Sequence, residues 1–533
     1  MQASSYLLRS LLPLSWTPAL PPRNDYFANA VRPIDNPYYS RPIDVHRWSD
    51  HPEVKELTDK VWDHLPDKIA GAIGPKPKTS YKKQLRVLLL DLYVAWLYEP
   101  ELSIGVSMSM NAWKANSRYN ALHLSKKLIP IIKALHEAGL LDKARGSYKG
   151  PGAKSNRTTR IRASKALQNW FGEAKFGRGD ITRALGEELI VLRSEKERKV
   201  EYQDTEATNQ MREELKAYND LLASSFIDVF TLEHHAVQVD PTNPASLVWI
   251  GKDYSRTHRV FSRGDWSLNG RFYGGWWQRL PGKHRAQISI DDQPTVEVDF
   301  KGLHIALLYA EQGQVMDHDP YDIQVEGFSS FPQGLIRTFI KTLALTSINA
   351  KEKSSAYSAF RKEFPAGHVG KRMTNKQLDK LLAAFLERNP LLEGYLFSDQ
   401  GIRLMNLDSQ ITARVHSHFT KQGVPVLSVH DSYIIDFRKA YKLQEVMKDA
   451  SEAIVGQRLE TAIKLPYLPE YSPVSLLDLY GHVENHVGPR CKGYMERVFF
   501  YQEETGRSIS PLCREDDPDL IELGMVSWDD QQD

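Results

Sequence analysis

The stretch VPVLSVHDSYIIDF, Val424 to Phe437, allows few folds. Two β-rich apolar runs are separated only by His430-Asp431-Ser432, which reads as a hairpin of two buried strands with a short turn. Asp431 is then a carboxylate at the tip of a rigid mount. A second carboxylate has a similar mount. In PTVEVDFKGLHIALLYAEQG, Val296 and Val298 alternate with Glu297 and Asp299, and Leu303, Ala306, Leu307 and Ala310 follow at helical spacing. Asp299 thus stands where a strand hands over to a helix. Taken singly, each has an ordinary explanation: a helix cap for Asp299 and a turn aspartate for Asp431. Taken together on adjacent strands, they suit two divalent ions, and hard oxygen ligands favour Mg²⁺.

A third element lies between them. GLIRTFIKTLALTSINAKEK reads as a helix with Arg337 and Lys341 at i, i+4 in otherwise apolar surroundings. Two cations one turn apart suit a triphosphate; the plainer reading is a solvated basic edge.

Nearer the amino terminus, YKKQLRVLLLDLYVAWLY (81–98) reads as a buried helix. Leu128, Ile132 and Leu135 mark one face of a second helix that Gly139 stops. LLDKARGSY and NRTTRIRAS then read as two short strands around a Gly/Pro/Ser tip. Lys143 to Lys165 holds eight Lys/Arg and no acid. Helix, helix, glycine and basic hairpin is the order of a winged helix, whose hairpin lies along phosphates while the preceding helix enters a groove. The candidate nucleic-acid contacts are Arg157, Arg160 and Arg162 on the hairpin and Arg118, Lys126 and Lys127 beside the helix. The plainer alternative is a solvated surface hairpin.

Bulk properties bound the rest. The 533 residues carry 69 Lys+Arg against 67 Asp+Glu, so only local charge speaks about partners. Two cysteines exclude a disulfide framework and favour a reducing, cytoplasmic compartment. No stretch approaches the roughly 18 apolar residues of a membrane span. The start, MQASSYLLRSLLPLSWTPALPP, lacks acids but is broken by Arg9 and prolines; it reads as an extension, with an organellar presequence as the weaker alternative. Residues 180–230 read as charged and helical. The last stretch, CREDDPDLIELGMVSWDDQQD, is an acidic tail.

In order and spacing these pieces resemble the palm and fingers shared by family A DNA polymerases and phage-type single-subunit RNA polymerases. VDFKGLHIALLYA resembles their first motif, RTFIKTLALTSINA the fingers helix with Arg-x-x-x-Lys, and VHDSYII the third motif. NGRFYGGWWQR, with Arg271, resembles the segment that contacts template and primer backbone. DPYDIQ resembles the short segment after the first motif, and LDSQITARVHSHF, with Gln410, the helix before the third. The resemblance covers about residues 250–465. It implies that Asp299 and Asp431 hold two Mg²⁺ ions, that Arg337 and Lys341 neutralise the triphosphate, and that His430 contacts the growing 3′ end.

Two departures stand out. Asn349 and Ala350 occupy the places of the family's fingers tyrosine and glycine. In an ungapped match His304 stands where the DNA enzymes carry a glutamate; with a gap allowed, Gly302-Leu303-His304 matches the Gly-Ile/Leu-Gln of the RNA enzymes, whose serine after His-Asp is also present as Ser432. Gly302, His304, Asn349, Ser432 and Gln410 are therefore the candidate substrate-binding residues. The expected class is α+β, a right-hand polymerase fold with an antiparallel palm sheet, helical thumb and fingers, preceded by a winged helix. The expected boundaries are 1–75 extension, 76–175 nucleic-acid-binding domain, 176–245 helical thumb-like segment, 246–470 palm and fingers, and 471–533 carboxy-terminal segment. The expected function is template-directed nucleotide polymerisation on DNA with nucleoside triphosphates, with or without a primer. It leans slightly to RNA synthesis, as a primase or compact RNA polymerase, in replication of a mobile element. The alternatives are a family A-like DNA polymerase and a non-catalytic replication initiator or regulator with a decayed palm.

Overall fold

The structure, a computed structural model, describes residues 33–65, 78–150, 153, 156–469 and 471–510. The apolar start, Lys154 and the acidic tail lie outside these residues. The chain is a mixed α+β protein that forms two compact units. No helix among the described residues is long and apolar enough to cross a membrane.

The first unit takes in the chain up to Glu188, with Leu232–Val248 and Phe499–Arg507. Its strands are β1 (Ser40–Pro42), β2 (Arg47–Trp48), β3 (Ser103–Val106), β4 (Leu141–Ala144), β5 (Thr159–Ala163) and β6 (Thr182–Arg183). Its helices are α1 (Pro52–Asp63), α2 (Lys78–Tyr98), α3 (Leu128–Glu137) and α4 (Lys165–Glu173). Helix α2 buries every residue from Val87 to Ala95, a run of more than two turns, so it is covered on every side there. Helix α3 turns Leu128, Ile131, Ile132 and Leu135 inward. It ends at Gly139, whose φ of 73° is the left-handed conformation that glycine takes without strain. Strands β4 and β5 form the expected antiparallel hairpin, in a sheet ordered β1-β3-β5-β4.

Residues 33–65 depart from the expected extension. Strand β1 pairs parallel to β3. Arg41 Nη1 and Arg47 Nε each donate to Asp91 of α2 at 2.9 Å. Asp91 is fully buried and needs those counter-charges, so α2 fastens this stretch into the unit.

The second unit takes in Leu189–Thr231, Trp249–Val498 and the described residues from Ser508. It begins with β7 (Ile190–Leu192), α5 (Glu206–Ser224) and β8 (Ile227–Val229). The chain then returns to the first unit through β9 (Ala236–Gln238) and most of β10 (Leu247–Trp249). It continues in β11 (His258–Ser262), β12 (Asp265–Tyr273), β13 (Ile288–Ile290), β14 (Gln293–Phe300), α6 (Leu303–Glu311) and α7 (Gln333–Asn349). Then come α8 (Lys353–Lys362), α9 (Asn375–Arg388), α10 (Gly401–Lys421), β15 (Leu427–Val429), β16 (Ser432–Asp436), α11 (Ala440–Val455) and β17 (Thr461–Lys464).

The expected helix over 180–230 is confined to α5. Its start is fixed by Thr205, whose side chain accepts from Thr208 N at 3.2 Å. The apolar run Ile190–Leu192 pairs parallel with β11 instead. The charged residues after it turn back, with Ser194 N donating to Arg198 O at 2.9 Å.

The largest sheet is ordered β15-β16-β14-β13-β8, with β17 also against β14. Val296, Val298 and Phe300 point into the core while Glu297 and Asp299 face the other way, as the alternation predicts. All five residues of β16 are buried, so its register is tightly specified.

Candidate functional site

Strand β14 is central and antiparallel to both β16 and β17. Asp299 stands opposite Ser432 on one side and Ala462 on the other, and Glu297 stands opposite Ile434 and Lys464. Val429 pairs with Ser432, so His430-Asp431 is the whole loop of a two-residue hairpin. Asp431 is one residue beyond Asp299's partner. His430 adopts φ 58°, a left-handed conformation that hairpins usually give to glycine. A bulky residue there costs about 1–2 kcal/mol, and such cost gathers at functional sites. After Asp299 the chain turns at Gly302 (φ 57°), which precedes α6.

Asp299 is largely buried. Lys464 Nζ lies 2.5 Å from its Oδ2, while its Oδ1 is buried with no hydrogen-bond partner. Burial, and then the charge of Asp431, push the Asp299 carboxyl up to about 7 although Lys464 pulls it down. Glu297 behaves oppositely. Burial opposes its charge, but Arg285 at 2.8 and 3.0 Å, Lys464 and the Ser432 hydroxyl hold it below the usual carboxylate range. Ser432 Oγ donates to Glu297 Oε1 at 2.6 Å.

A second group adjoins the first. Arg271 on β12 donates through Nε to Asp408 of α10, and its Nη2 lies 3.3 Å from His304 Nε2 on α6. Asp408 is fully buried, and its Oδ1 has no hydrogen-bond partner. Burial raises Asp408 to about 7; Asp431 adds to this and Arg271 opposes it. Burial and the Arg271 charge lower His304 to about 4, leaving a neutral imidazole at pH 7. The same two causes lower His430. Gln410, one turn above Asn406 on α10, donates to Asn406 Oδ1 at 2.8 Å. Asn406 in turn donates to Asn269 O of β12 at 3.0 Å.

Arg337 and Lys341 share one face of α7. Both lie over the buried Tyr321 ring, at 5.6 and 5.9 Å from its centroid. Arg337 also pairs with Asp319 at 2.9 Å and lies 5.5 Å from the Tyr471 ring. Burial raises the Tyr321 phenol, and Tyr471, Asp319 and Asp431 add to the rise while Arg337 opposes it. Asn349 ends α7. Its Nδ2 donates to Leu345 O at 2.8 Å, and it packs where Gly401 lacks a Cβ.

In the first unit, a groove of about 870 Å³ follows the hairpin, lined among others by Ser107, Lys143, Arg145, Tyr148 and Arg157. Lys126 and Arg145 are exposed. Lys127 Nζ donates to Ser80 Oγ at 2.6 Å, and Arg157 Nη2 to Tyr38 OH at 3.2 Å. Arg118 pairs with Glu188 at 3.1 Å. Arg160 is turned inward, donating from Nε to Ile34 O at 3.1 Å, and Arg162 is paired with Asp142 at 2.7 Å and with Glu101. Arg160 thus serves the unit's interior, while Arg162 is engaged by two acids at the surface.

Sequence reading singled out neither Lys464 nor Asp408. Each is a lone charged residue whose importance comes from a partner far away in the chain. Among the described residues no group of three or more His, Cys, Asp or Glu is spaced to hold a metal ion. Asp299 and Asp431 offer two carboxylates, and Mg²⁺ is an ion that commonly takes one or two carboxylates and completes its shell with water and substrate phosphates. The partnerless Asp299 Oδ1 is the oxygen such an ion would satisfy.

No family model and no curated protein matches the chain. Among solved structures it is similar to the POL domain of Pol1 from M. smegmatis, in complex with DNA primer-template and dNTP. The identity is 10%, the TM-score 0.26, and the match covers 81% of this chain and 68% of that one. A likeness this distant leaves the functional reading to the residues themselves.

Proposed function

We propose that the chain is a template-directed nucleotidyltransferase, a DNA-directed polymerase carrying its own DNA-binding module. The observation that supports it most is the pairing of Asp299 with the turn bearing Asp431, one carboxylate oxygen being left buried without a partner. Asp299 and Asp431 would hold the Mg²⁺ ions, which when bound supply charge stabilisation to a 3′-hydroxyl attacking an α-phosphate. Arg337 and Lys341 orient the triphosphate and offset the charge that develops as pyrophosphate leaves. Arg271, oriented by Asp408, offers its remaining donors to a nucleic-acid backbone, and neutral His304 lies beside it. His430 faces the primer end.

The right-hand reading takes the six-stranded sheet as palm, α7 to α9 as fingers and α5 as thumb. The winged-helix reading takes α3 as the groove helix, β3, β5 and β4 as its sheet and the β4–β5 hairpin as wing. The lean to ribonucleotides rests on Gly302-Leu303-His304, because the Ser432 hydroxyl is engaged by Glu297. A role in replicating a mobile element is proposed from this combination of modules.

The second reading, a non-catalytic initiator, is favoured by Asn349, which is bonded into its own helix where the family has a tyrosine. The test is incorporation of labelled rNTPs or dNTPs on primed and unprimed DNA templates with Mg²⁺. We expect activity from wild type and none from Asp431→Ala. DNA binding without incorporation by wild type, or equal incorporation by the variant, sinks the polymerase reading.

A further inference from the structure

Lys464 ends β17, directly opposite Glu297 in the register. Its side chain runs diagonally across β14, so that Nζ lies 2.5 Å from Asp299 Oδ2 and 3.4 Å from Glu297 Oε1. Glu297 is already served by two nitrogens of Arg285 and by the Ser432 hydroxyl. Most of the ammonium's charge therefore falls to Asp299. The two ends of the pair differ in exposure: Lys464 is 40% exposed and Asp299 14%. The ammonium has a route into solvent that the carboxylate lacks.

From this geometry, and resting on the proposed metal role of Asp299, we infer that Lys464 is a resident counter-ion which competes with a divalent cation for the Asp299 carboxylate. A cation that binds through the partnerless Oδ1 meets the charge of Nζ on the other oxygen of the same carboxylate, so the two cations compete for one negative charge. Lys464 thereby keeps the ion-free centre neutralised and sets how much divalent ion is needed to load it. It is a positioning residue for Asp299, and its effect appears in ion binding before any substrate is present.

The experiment is Mn²⁺ binding to the full chain without nucleotide or DNA, at fixed pH and ionic strength. It is read from the electron paramagnetic resonance signal of free Mn²⁺. Lys464→Met should bind Mn²⁺ about tenfold more tightly than wild type, the low end of what one opposite charge at contact distance does to a carboxylate's equilibria. Lys464→Arg, which keeps the charge, should remain near wild type. Lys464→Gln serves if the methionine variant does not fold, with folding checked by circular dichroism. Unchanged or weaker Mn²⁺ binding in a folded Lys464→Met or Lys464→Gln overturns the inference, provided Asp299→Asn abolishes wild-type binding. If Asp299→Asn and Asp431→Asn both leave Mn²⁺ binding intact, the metal reading fails first and takes this inference with it.

Discussion

The hydroxyl of Ser432 donates to Glu297 Oε1 at 2.6 Å, across the pairing of β16 with β14. Ser432 is buried, and its oxygen also reaches Val429 O at 3.2 Å, closing the hairpin that bears Asp431. A residue that the motif alone offers as a vote on the nucleotide's sugar is thus a fastener inside the sheet. Ser432→Ala should cost about 1.5–3 kcal/mol of stability, the loss of one hydrogen bond to a charged acceptor. It should leave the ratio of rNTP to dNTP incorporation unchanged. Urea unfolding and paired incorporation assays check both halves; a shifted ratio at unchanged stability returns Ser432 to the substrate.

Asp299 supplies a pH prediction. In the folded chain its carboxyl is held up to about 7, whereas unfolded it titrates near its ordinary value of 3.8. Between those values the folded state binds the extra proton. Asp299 therefore makes stability fall as pH rises from about 4 to about 7, with no further change above. Asp299→Asn does not titrate, so its stability relative to wild type should improve over that interval, by up to about 4 kcal/mol if the whole shift is realised. Urea unfolding of both proteins in chelator at pH 4.5, 6 and 7.5 reads the difference; a constant difference across the three pH values contradicts it.

Arg271 and Asp408 supply a third. Asp408 is fully buried, and the Arg271 guanidinium is 12% exposed. Removing Asp408 leaves the Arg271 charge with only the more distant Asp431 to offset it, so Asp408→Ala should lose about 3 kcal/mol, the low end for a broken buried pair. Arg271→Met added to Asp408→Ala should recover part of that loss, because no buried guanidinium then remains unpaired. Equal stability of the single and double variants counts against a coupled pair, and thermal melts of the four proteins complete the cycle.

What was legible in the sequence follows from the range of the forces involved. The hairpin around Asp431, the strand-to-helix handover after Asp299 and the cationic face of α7 are written in local periodicity, and all three appear in the fold. Lys464 and Asp408 were not legible: their partners lie 165 and 137 residues away, and no local pattern marks them. The same distance hid the partners of two hairpin cations expected to meet nucleic acid: Glu101 lies 61 residues from Arg162, and Ile34 O lies 126 residues from Arg160. The extension that proved to be part of the first unit repeats the point, since Asp91 reaches back to Arg41 and Arg47.

That division of the hairpin's cations yields the last prediction. Arg145 is exposed and lines the groove with Lys143, while Arg160 is buried against backbone carbonyls. If DNA lies along the hairpin, each phosphate contact releases about one counterion, and each lost contact lowers the salt slope of binding by about one. Lys143→Ala and Arg145→Ala should therefore each flatten the plot of log K against log salt while leaving the melting temperature within about a degree or two, as exposed substitutions do. Arg160→Ala should do the reverse, lowering the melting temperature through carbonyls left buried and unpaired while the folded fraction keeps the wild-type slope. Fluorescence anisotropy with a labelled duplex across a salt series, beside thermal melts, separates the two classes. If Arg160→Ala flattens the slope and Arg145→Ala does not, the DNA path does not follow this groove.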